Sequence, residues 1–224
     1  MRGEENRVSS GRIRGLYIIT PELDDTVSLL LKVKAALEGG AAVVQYRNKR
    51  SSAGKRIEHA IALAALCEKH GAVFIINDDV KLAFEVEADG VHLGKTDGDI
   101  TAARRKLGAN RLIGASCYDR LDLAEAAVGA GADHIAFGSV FASSTKPNVV
   151  RAPLELFAQA HHLKVPMIAI GGITAENATP VIAAGADALA VISDIFDAPD
   201  INARAHAYQS LFSATRVTNL TPHP

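Results

Sequence analysis

Gln45, Arg47 and Lys49 occupy alternate positions where an apolar run beginning at Val43 turns polar. A spacing of two puts all three on one face of an extended chain. Two cations and an amide on one face suit a phosphate or diphosphate. Lys49 and Arg50 also read as ordinary solvated loop charges, a reading that fits Gln45 and Arg47 less well because they adjoin the apolar run. Farther along, the hydrocarbon run Val73-Phe74-Ile75-Ile76 ends in Asn77-Asp78-Asp79, and Asp97 follows Val91-His92-Leu93-Gly94. Each acid has a competing use as a helix cap. Asp79 and Asp99 are at hand for that work, which leaves Asp78 and Asp97 for a site. Two oxygen ligands with no Cys or His cluster favour Mg²⁺ over zinc.

Further polar groups sit at the ends of later apolar runs. Ser116 closes Gly114-Ala115-Ser116, and its hydroxyl suits a diphosphate as well as it suits a plain strand end. No histidine and acid accompany it in a way that would make it a nucleophile. The segment Gly138-Ser139-Val140-Phe141-Ala142-Ser143-Ser144-Thr145-Lys146-Pro147 carries hydroxyls and one lysine. It reads either as an anion clamp or as a flexible linker. Ile170-Gly171-Gly172-Ile173 and Val191-Ile192-Ser193-Asp194 fit a phosphate site built from backbone N–H groups, although a tight turn also explains the glycine pair. The eight histidines do not cluster. His92 reads as a packed or hydrogen-bonded core group, and His161 and His162 as surface residues.

The elements that must position these groups follow from periodicity. Short apolar runs at 15–20, 43–47, 73–77, 90–94, 112–116, 134–138, 166–171 and 188–193 read as strands buried on both faces. Helix-period segments such as Ile57-Ile61-Ala64-Ala65-Glu68 and Leu121-Ala124-Glu125-Val128 lie between them. This alternation predicts a single (β/α)8 barrel with parallel strands over residues 15–214, flanked by flexible tails at 1–14 and 215–224. Three stretches share one scheme: Ala88-Asp89-Gly90, Ala132-Asp133-His134 and Ala186-Asp187-Ala188 each place an acid where a strand begins. Those acids belong to the structural end of the barrel. A doubly wound open sheet is the alternative, but no Gly-x-Gly-x-x-Gly follows a strand.

Composition bounds the function. The 224 residues are 48% hydrophobic and 22% charged, with a formal net charge of -1. That balance gives no global pull toward nucleic acid or an anionic membrane. No apolar stretch reaches about 18 residues, and the first 14 residues lack a signal-like apolar core. Cys67 and Cys117 read as buried reduced thiols, as expected of a cytoplasmic protein.

Taken in order, Gln-x-Arg-x-Lys, Asn-Asp, Val-His-x-Gly-x-x-Asp, Gly-x-Ser, Thr-Lys and Ile-Gly-Gly-Ile resemble the thiamine-phosphate synthase (thiamin phosphate pyrophosphorylase) family, from Gly15 to about Phe212. The resemblance implies a transferase joining a hydroxymethylpyrimidine diphosphate to a thiazole phosphate, with loss of diphosphate and one Mg²⁺ per subunit. It implies that Gln45, Arg47 and Lys49 hold the pyrimidine diphosphate, Asn77 reads the aminopyrimidine, and Asp78 and Asp97 hold the metal. Ser116 and Lys146 would bind diphosphate oxygens, giving Arg47, Lys49, Ser116 and Lys146 the catalytic roles. Ser143, Ser144 and Thr145, with the backbone at Gly172, Ile192 and Ser193, would contact the thiazole phosphate. Ser143 stands where the family usually has Thr, Lys95 where it commonly has Gln, and Ser139 where it has Pro.

Three rivals remain in view. The tautomerase branch of the same family would keep the thiazole-phosphate site but has no need for Arg47, Lys49, Asp78, Asp97 and Lys146. A Schiff-base aldolase would need Lys146 desolvated, which a hydroxyl-rich loop does not provide. A sensor of phosphorylated metabolites would bind ligand without turnover. The implied partners are small phosphorylated heterocycles, with a homo-oligomer left open.

Overall fold

The structure, a computed structural model, describes residues 10–142 and 150–218. Its strands are β1 (Gly15–Ile19), β2 (Val43–Tyr46), β3 (Val73–Asn77), β4 (Gly90–Leu93), β5 (Leu112–Tyr118), β6 (His134–Gly138), β7 (Met167–Ile170) and β8 (Ala188–Val191). All pairings are parallel, and β1 pairs with β8, so the sheet closes into a barrel. Between and after them run α1 (Thr26–Glu38), α2 (Ala53–His70), α3 (Val80–Glu85), α4 (Ile100–Leu107), α5 (Leu121–Gly129), α6 (Glu155–Ala160), α7 (Ala178–Ala183), α8 (Ser193–Phe196) and α9 (Ile201–Thr218). This is the (β/α)8 architecture. It places every strand's carboxyl end, and the polar residues that follow it, on one rim.

The described residues that flank the barrel carry regular structure. A turn of 3-10 helix at Ser10–Arg12 is tied down by Arg12, which donates to the Gly71 carbonyl at 2.8 Å. Ile13 is buried and joins the apolar cluster inside the barrel. At the other end α9 continues to Thr218, past the expected start of a tail at 215.

Period two along each strand sorts the apolar residues into two layers. Tyr17, Ile19, Val43, Val73, Ile75, Leu112, Ala136 and Ile168 fill the barrel. Ile18, Val44, Phe74, Ile76, Phe137 and Phe157 pack between sheet and helices, where the two rings of Phe137 and Phe157 meet edge to face at 5.5 Å. α2 buries His59, Ala60, Leu63 and Cys67, while Ile57 and Ile61 face outward. The periodic apolar residues therefore marked a helix there but not its buried face. Both cysteines are buried and free.

The repeated acids act at the amino ends of the strands. Asp89 accepts the Phe74 N–H of β3 at 2.8 Å, Asp133 the Ile113 N–H of β5 at 2.7 Å, and Asp187 the Met167 N–H of β7 at 2.8 Å. Each one stitches its own strand to the preceding strand and satisfies a donor that would otherwise cost free energy when buried.

Inside the barrel runs a short polar chain. The Ser116 hydroxyl lies 3.0 Å from His92 Nε2, and His92 Nδ1 lies 3.5 Å from His134 Nε2. Gly114 makes room for it, since a Cβ there would strike the rings of both histidines. Burial pushes the His92 imidazolium down to about 4, partly offset by the Asp78 carboxylate, and pushes His134 down as well through burial and the neighbouring His92. Both rings are therefore neutral at pH 7.

A histidine with an ordinary value near 6.5 when unfolded and about 4 when folded takes up its proton preferentially in the unfolded chain between those values. Its contribution to stability is present above pH 6.5 and is lost as the pH falls toward 4, by roughly 3 kcal/mol at most. The urea midpoint should thus fall from pH 7 to pH 5, less steeply in a His92→Asn variant. An equal slope in the two proteins would show that His92 is not the neutral buried group described.

Candidate active site

The rim is best built from β2 onward. Arg47 donates its backbone N–H to Thr20 Oγ1 at 3.0 Å, and its guanidinium meets Glu22 at 2.9 Å. Gln45, directly below, is buried and donates to the Tyr17 hydroxyl at 2.8 Å. It faces the barrel interior, as its spacing implied. Asn48 pins the loop: its Oδ1 accepts the N–H groups of Arg50 and Ser51 at 3.0 and 2.9 Å, and its Nδ2 donates to the Leu23 carbonyl at 3.1 Å. Lys49, held on that turn, reaches Asp78 at 3.0 Å.

At the end of β3 the division of labour among the acids is visible in the hydrogen bonds. Asp79 caps α3 by accepting the Leu82 N–H at 2.9 Å, and Asp99 caps α4 by accepting the Ala102 N–H at 2.7 Å. Asp78 and Asp97 are thereby left out of the caps. Asp78 adopts a left-handed backbone, φ 63°, and donates its N–H to the His92 carbonyl at 2.8 Å. That conformation costs about 1 kcal/mol for most side chains and is commonest for Asn and Asp, so one short acid satisfies both geometry and chemistry. Asp97 lies over Gly94, in space that a Cβ would fill.

These elements enclose a cavity of about 550 Å³ lined by Asn48, Lys49, Arg56, Asn77, Asp78, Asp79, Val80 and Asp97. Four residues expected from the sequence, Lys49, Asn77, Asp78 and Asp97, meet there. Arg47 is not among the lining residues. Arg56 stands in α2 and the Asn48 side chain bonds to its own loop, so neither shows in the sequence as a polar residue closing an apolar run.

The opposite side of the rim is organised by glycine. Gly171 and Gly172 both have positive φ, 101° and 62°. A Cβ on the first would meet Ser139, and on the second the Ala142 carbonyl and Phe141. Phe141 donates its N–H to the Gly171 carbonyl at 3.0 Å, so the β6 loop is laid directly on the end of β7. Asn177 braces the turn, donating to the Gly172 carbonyl at 3.0 Å. Ser193 begins the four-residue α8 and lines a second cavity of about 640 Å³ together with Asp194, Asp197, Asp200 and Arg204. Gly172, Ile192 and Ser193 thus do not line the cavity that holds Lys49 and Asp78. Asp194 serves as a fastener, accepting from Arg204 at 2.7 Å and from the Tyr208 hydroxyl at 2.6 Å. Ser143, Ser144, Thr145 and Lys146 lie outside the described residues.

The model of one family, described as thiamine monophosphate synthase, matches residues 16–195. The chain belongs to that family. It is 55% identical over 204 residues to the thiamine-phosphate synthase of Aromatoleum aromaticum, covering 91% of this chain and 98% of that one. The enzyme of the same description from Chromobacterium violaceum is 55% identical over 203 residues, with 91% and 98% coverage. Among solved structures, thiamine phosphate pyrophosphorylase from Pyrococcus furiosus superposes with a TM-score of 0.80 at 34% identity, over 92% of this chain and 98% of the other. A 3-hexulose-6-phosphate synthase superposes at 0.67 with 19% identity, a likeness of fold alone. The chain is accordingly an enzyme, a transferase of thiamine biosynthesis.

A family member of this kind raises the question of a metal. Among the described residues no group of three His, Cys, Asp or Glu is placed to hold an ion. Of the three carboxylates lining the cavity, Asp78 and Asp97 cap no helix and fit Mg²⁺, which keeps several waters and completes its shell with substrate phosphate oxygens.

The glycine contact between β6 and β7 yields an expectation independent of ligands. Gly172→Ala introduces a strained φ and a collision with the β6 loop, and should cost roughly 1–3 kcal/mol in a denaturant melt. Amide exchange at Phe141 should rise with it. Unchanged protection at Phe141 would mean that the loop is not held by this contact.

Proposed function

We propose that the chain couples 4-amino-2-methyl-5-(diphosphooxymethyl)pyrimidine to a thiazole phosphate, giving thiamine phosphate and diphosphate. The observation that carries this reading is the convergence of Lys49, Asn77, Asp78 and Asp97 on one cavity at the carboxyl ends of β2, β3 and β4. Thiamine-phosphate synthases at 55% identity over nearly the whole chain support it.

The chemistry matches that inventory. The bond between the pyrimidine's exocyclic carbon and the diphosphate oxygen breaks, diphosphate leaving with the electron pair. The electron-rich ring stabilises the carbocation left behind, and the thiazole nitrogen supplies the pair for the new C–N bond. Asp78 and Asp97 would hold Mg²⁺, which supplies charge neutralisation on the departing diphosphate. Lys49 would give up Asp78 for a diphosphate oxygen, and Arg47 would give up Glu22. Both exchanges are inexpensive because half-exposed ion pairs are worth about 1 kcal/mol or less. Asn77 would read the aminopyrimidine through its amide, and Gln45 would support that end of the pocket from the barrel interior. Ser116 would donate to a diphosphate oxygen when the neutral His92 donates to it. The β6 loop, with Ser143, Ser144, Thr145 and Lys146, would close the pocket, and Gly172, Ile192 and Ser193 would offer N–H groups to the thiazole phosphate.

The test is product formation from purified protein and both phosphorylated heterocycles, with and without Mg²⁺, read by mass and by diphosphate release. Mg²⁺-dependent thiamine phosphate is the expected result. Isomerisation of the thiazole phosphate without coupling would place the chain in the tautomerase branch. Asp78→Ala should lower coupling by on the order of 10²–10³ while thiazole phosphate binds as before. Normal turnover of that variant at low Mg²⁺ would remove Asp78 from the metal site.

A further inference from the structure

Arg56 is unlike the other cations of the rim. Arg47 and Lys49 each have a carboxylate at hydrogen-bonding distance. The Arg56 Nε is buried and has no hydrogen-bond partner, and its Nη1 comes no nearer than 4.0 Å to Asp79. Asp79 caps α3 through Oδ1 and turns Oδ2 toward Arg56. Of the two cations among the described residues lining the cavity, Lys49 lies 3.0 Å from its carboxylate and Arg56 4.0 Å from its own, so Arg56 is the more loosely paired. A buried donor without a partner is costly, and native structures keep such groups few.

Its place on the helix adds a second, independent cost. Arg56 lies in the first turn of α2, after the Ser52 cap, in a turn that contains Lys55 and no acid. Cations are disfavoured there by the helix dipole. Two local penalties at one residue, offset among the described residues only by the long contact with Asp79, fit a group kept for a ligand. The lining says which kind. Lys49 and Arg56 stand beside Asp78, Asp79 and Asp97, so one cavity offers cationic groups to an anion and carboxylates to a cation that accompanies it.

We propose that Arg56 is a further binding residue for the diphosphate of the pyrimidine substrate. It grips two oxygens of one phosphoryl group through the two Nη groups at its end. A guanidinium presents those two donors as a planar fork, which matches adjacent phosphate oxygens. The inference rests on the coupling reading above and extends it to a residue on a helix rather than at a strand end.

The experiment titrates inorganic pyrophosphate with Mg²⁺ into wild type, Arg56→Gln, Arg56→Lys and Arg56→Ala, alongside steady-state kinetics and melting. Arg56→Gln should bind pyrophosphate about 10- to 100-fold more weakly and raise KM for the pyrimidine diphosphate, leaving KM for the thiazole phosphate within about twofold. Its melting temperature should equal or exceed that of wild type, because a loosely paired cation has been removed from the first turn of a helix. Arg56→Lys should recover part of the affinity, and methylguanidinium should restore part of the Arg56→Ala rate, which no structural role would produce. Unchanged pyrophosphate affinity in Arg56→Gln, beside a wild type that couples, would overturn the inference alone. So would a loss shared equally by both substrates with a lowered melting temperature and no rescue. A wild type that neither binds pyrophosphate nor couples would overturn the coupling reading and this inference with it.

Discussion

Closure of the parallel ladder is the constraint on which everything else depends. Because β1 pairs with β8, all strands run the same way around one ring, and each must deliver its last inward residue to the same mouth. Inward residues farther down have no exit and must pack or find polar partners. Tyr17, Gln45, His92 and His134 show what this demands: burial holds the Tyr17 hydroxyl above its ordinary range and the imidazoles below theirs, Gln45 donates to Tyr17, and His92 meets Ser116 and His134. The barrel interior is thus a polar-seamed plug, and the rim above it is free to carry charge.

The rim holds its charges in pairs that exchange readily. Lys49 and Asp78 lie 3.0 Å apart with side chains 55% and 24% exposed. In that setting the pair gains little over water. An anion bearing several charges, arriving with a divalent cation, offers Lys49 and Asp78 a better partner each. Under the coupling reading, the ion pairs of the rim would hold these side chains near their working positions without blocking them. Asp78 shows the same economy in its backbone: its N–H extends the bonding from β3 to β4, and the left-handed turn frees its carboxylate from the helix cap that Asp79 supplies.

Much of this was legible in the sequence, for a physical reason. Short, doubly buried strands such as Val73–Asn77 leave little ambiguity, and the polar residue that ends each one must reach the rim. The capping roles of Asp79 and Asp99 followed from helix chemistry alone, and the strand-start acids from their recurrence. What stayed hidden depends on three-dimensional neighbours. Ile57 and Ile61 repeat at helical spacing yet face solvent, because His59, Ala60, Leu63 and Cys67 claim the contact with the sheet. Ile13 sits among polar residues in sequence and still enters the barrel. Arg56 ends no apolar run, and only the fold brings the first turn of α2 to the cavity of Asp78. Ser193 lines a second cavity in which Asp194 meets Arg204 and Tyr208 of α9, a neighbourhood that strand and helix periodicity does not show.

The state of His92 bears on the coupling reading. The Asp78 carboxylate acts on this imidazole from the cavity. With its proton lost above about pH 4 and its Nε2 turned to Ser116, it is a hydrogen-bonding group and not a proton acceptor tuned to neutral pH. Substitution at a stabilised carbon asks for something else: a leaving group whose charge is met, a nucleophile held in line, and water kept out. Under that reading, cations after β2 and on α2 and acids after β3 and β4 would meet the first demand, while Phe141 fixes the start of the β6 loop against the glycines after β7. A rim of exchangeable charge above a neutral, close-packed plug is what such a reaction requires of a protein.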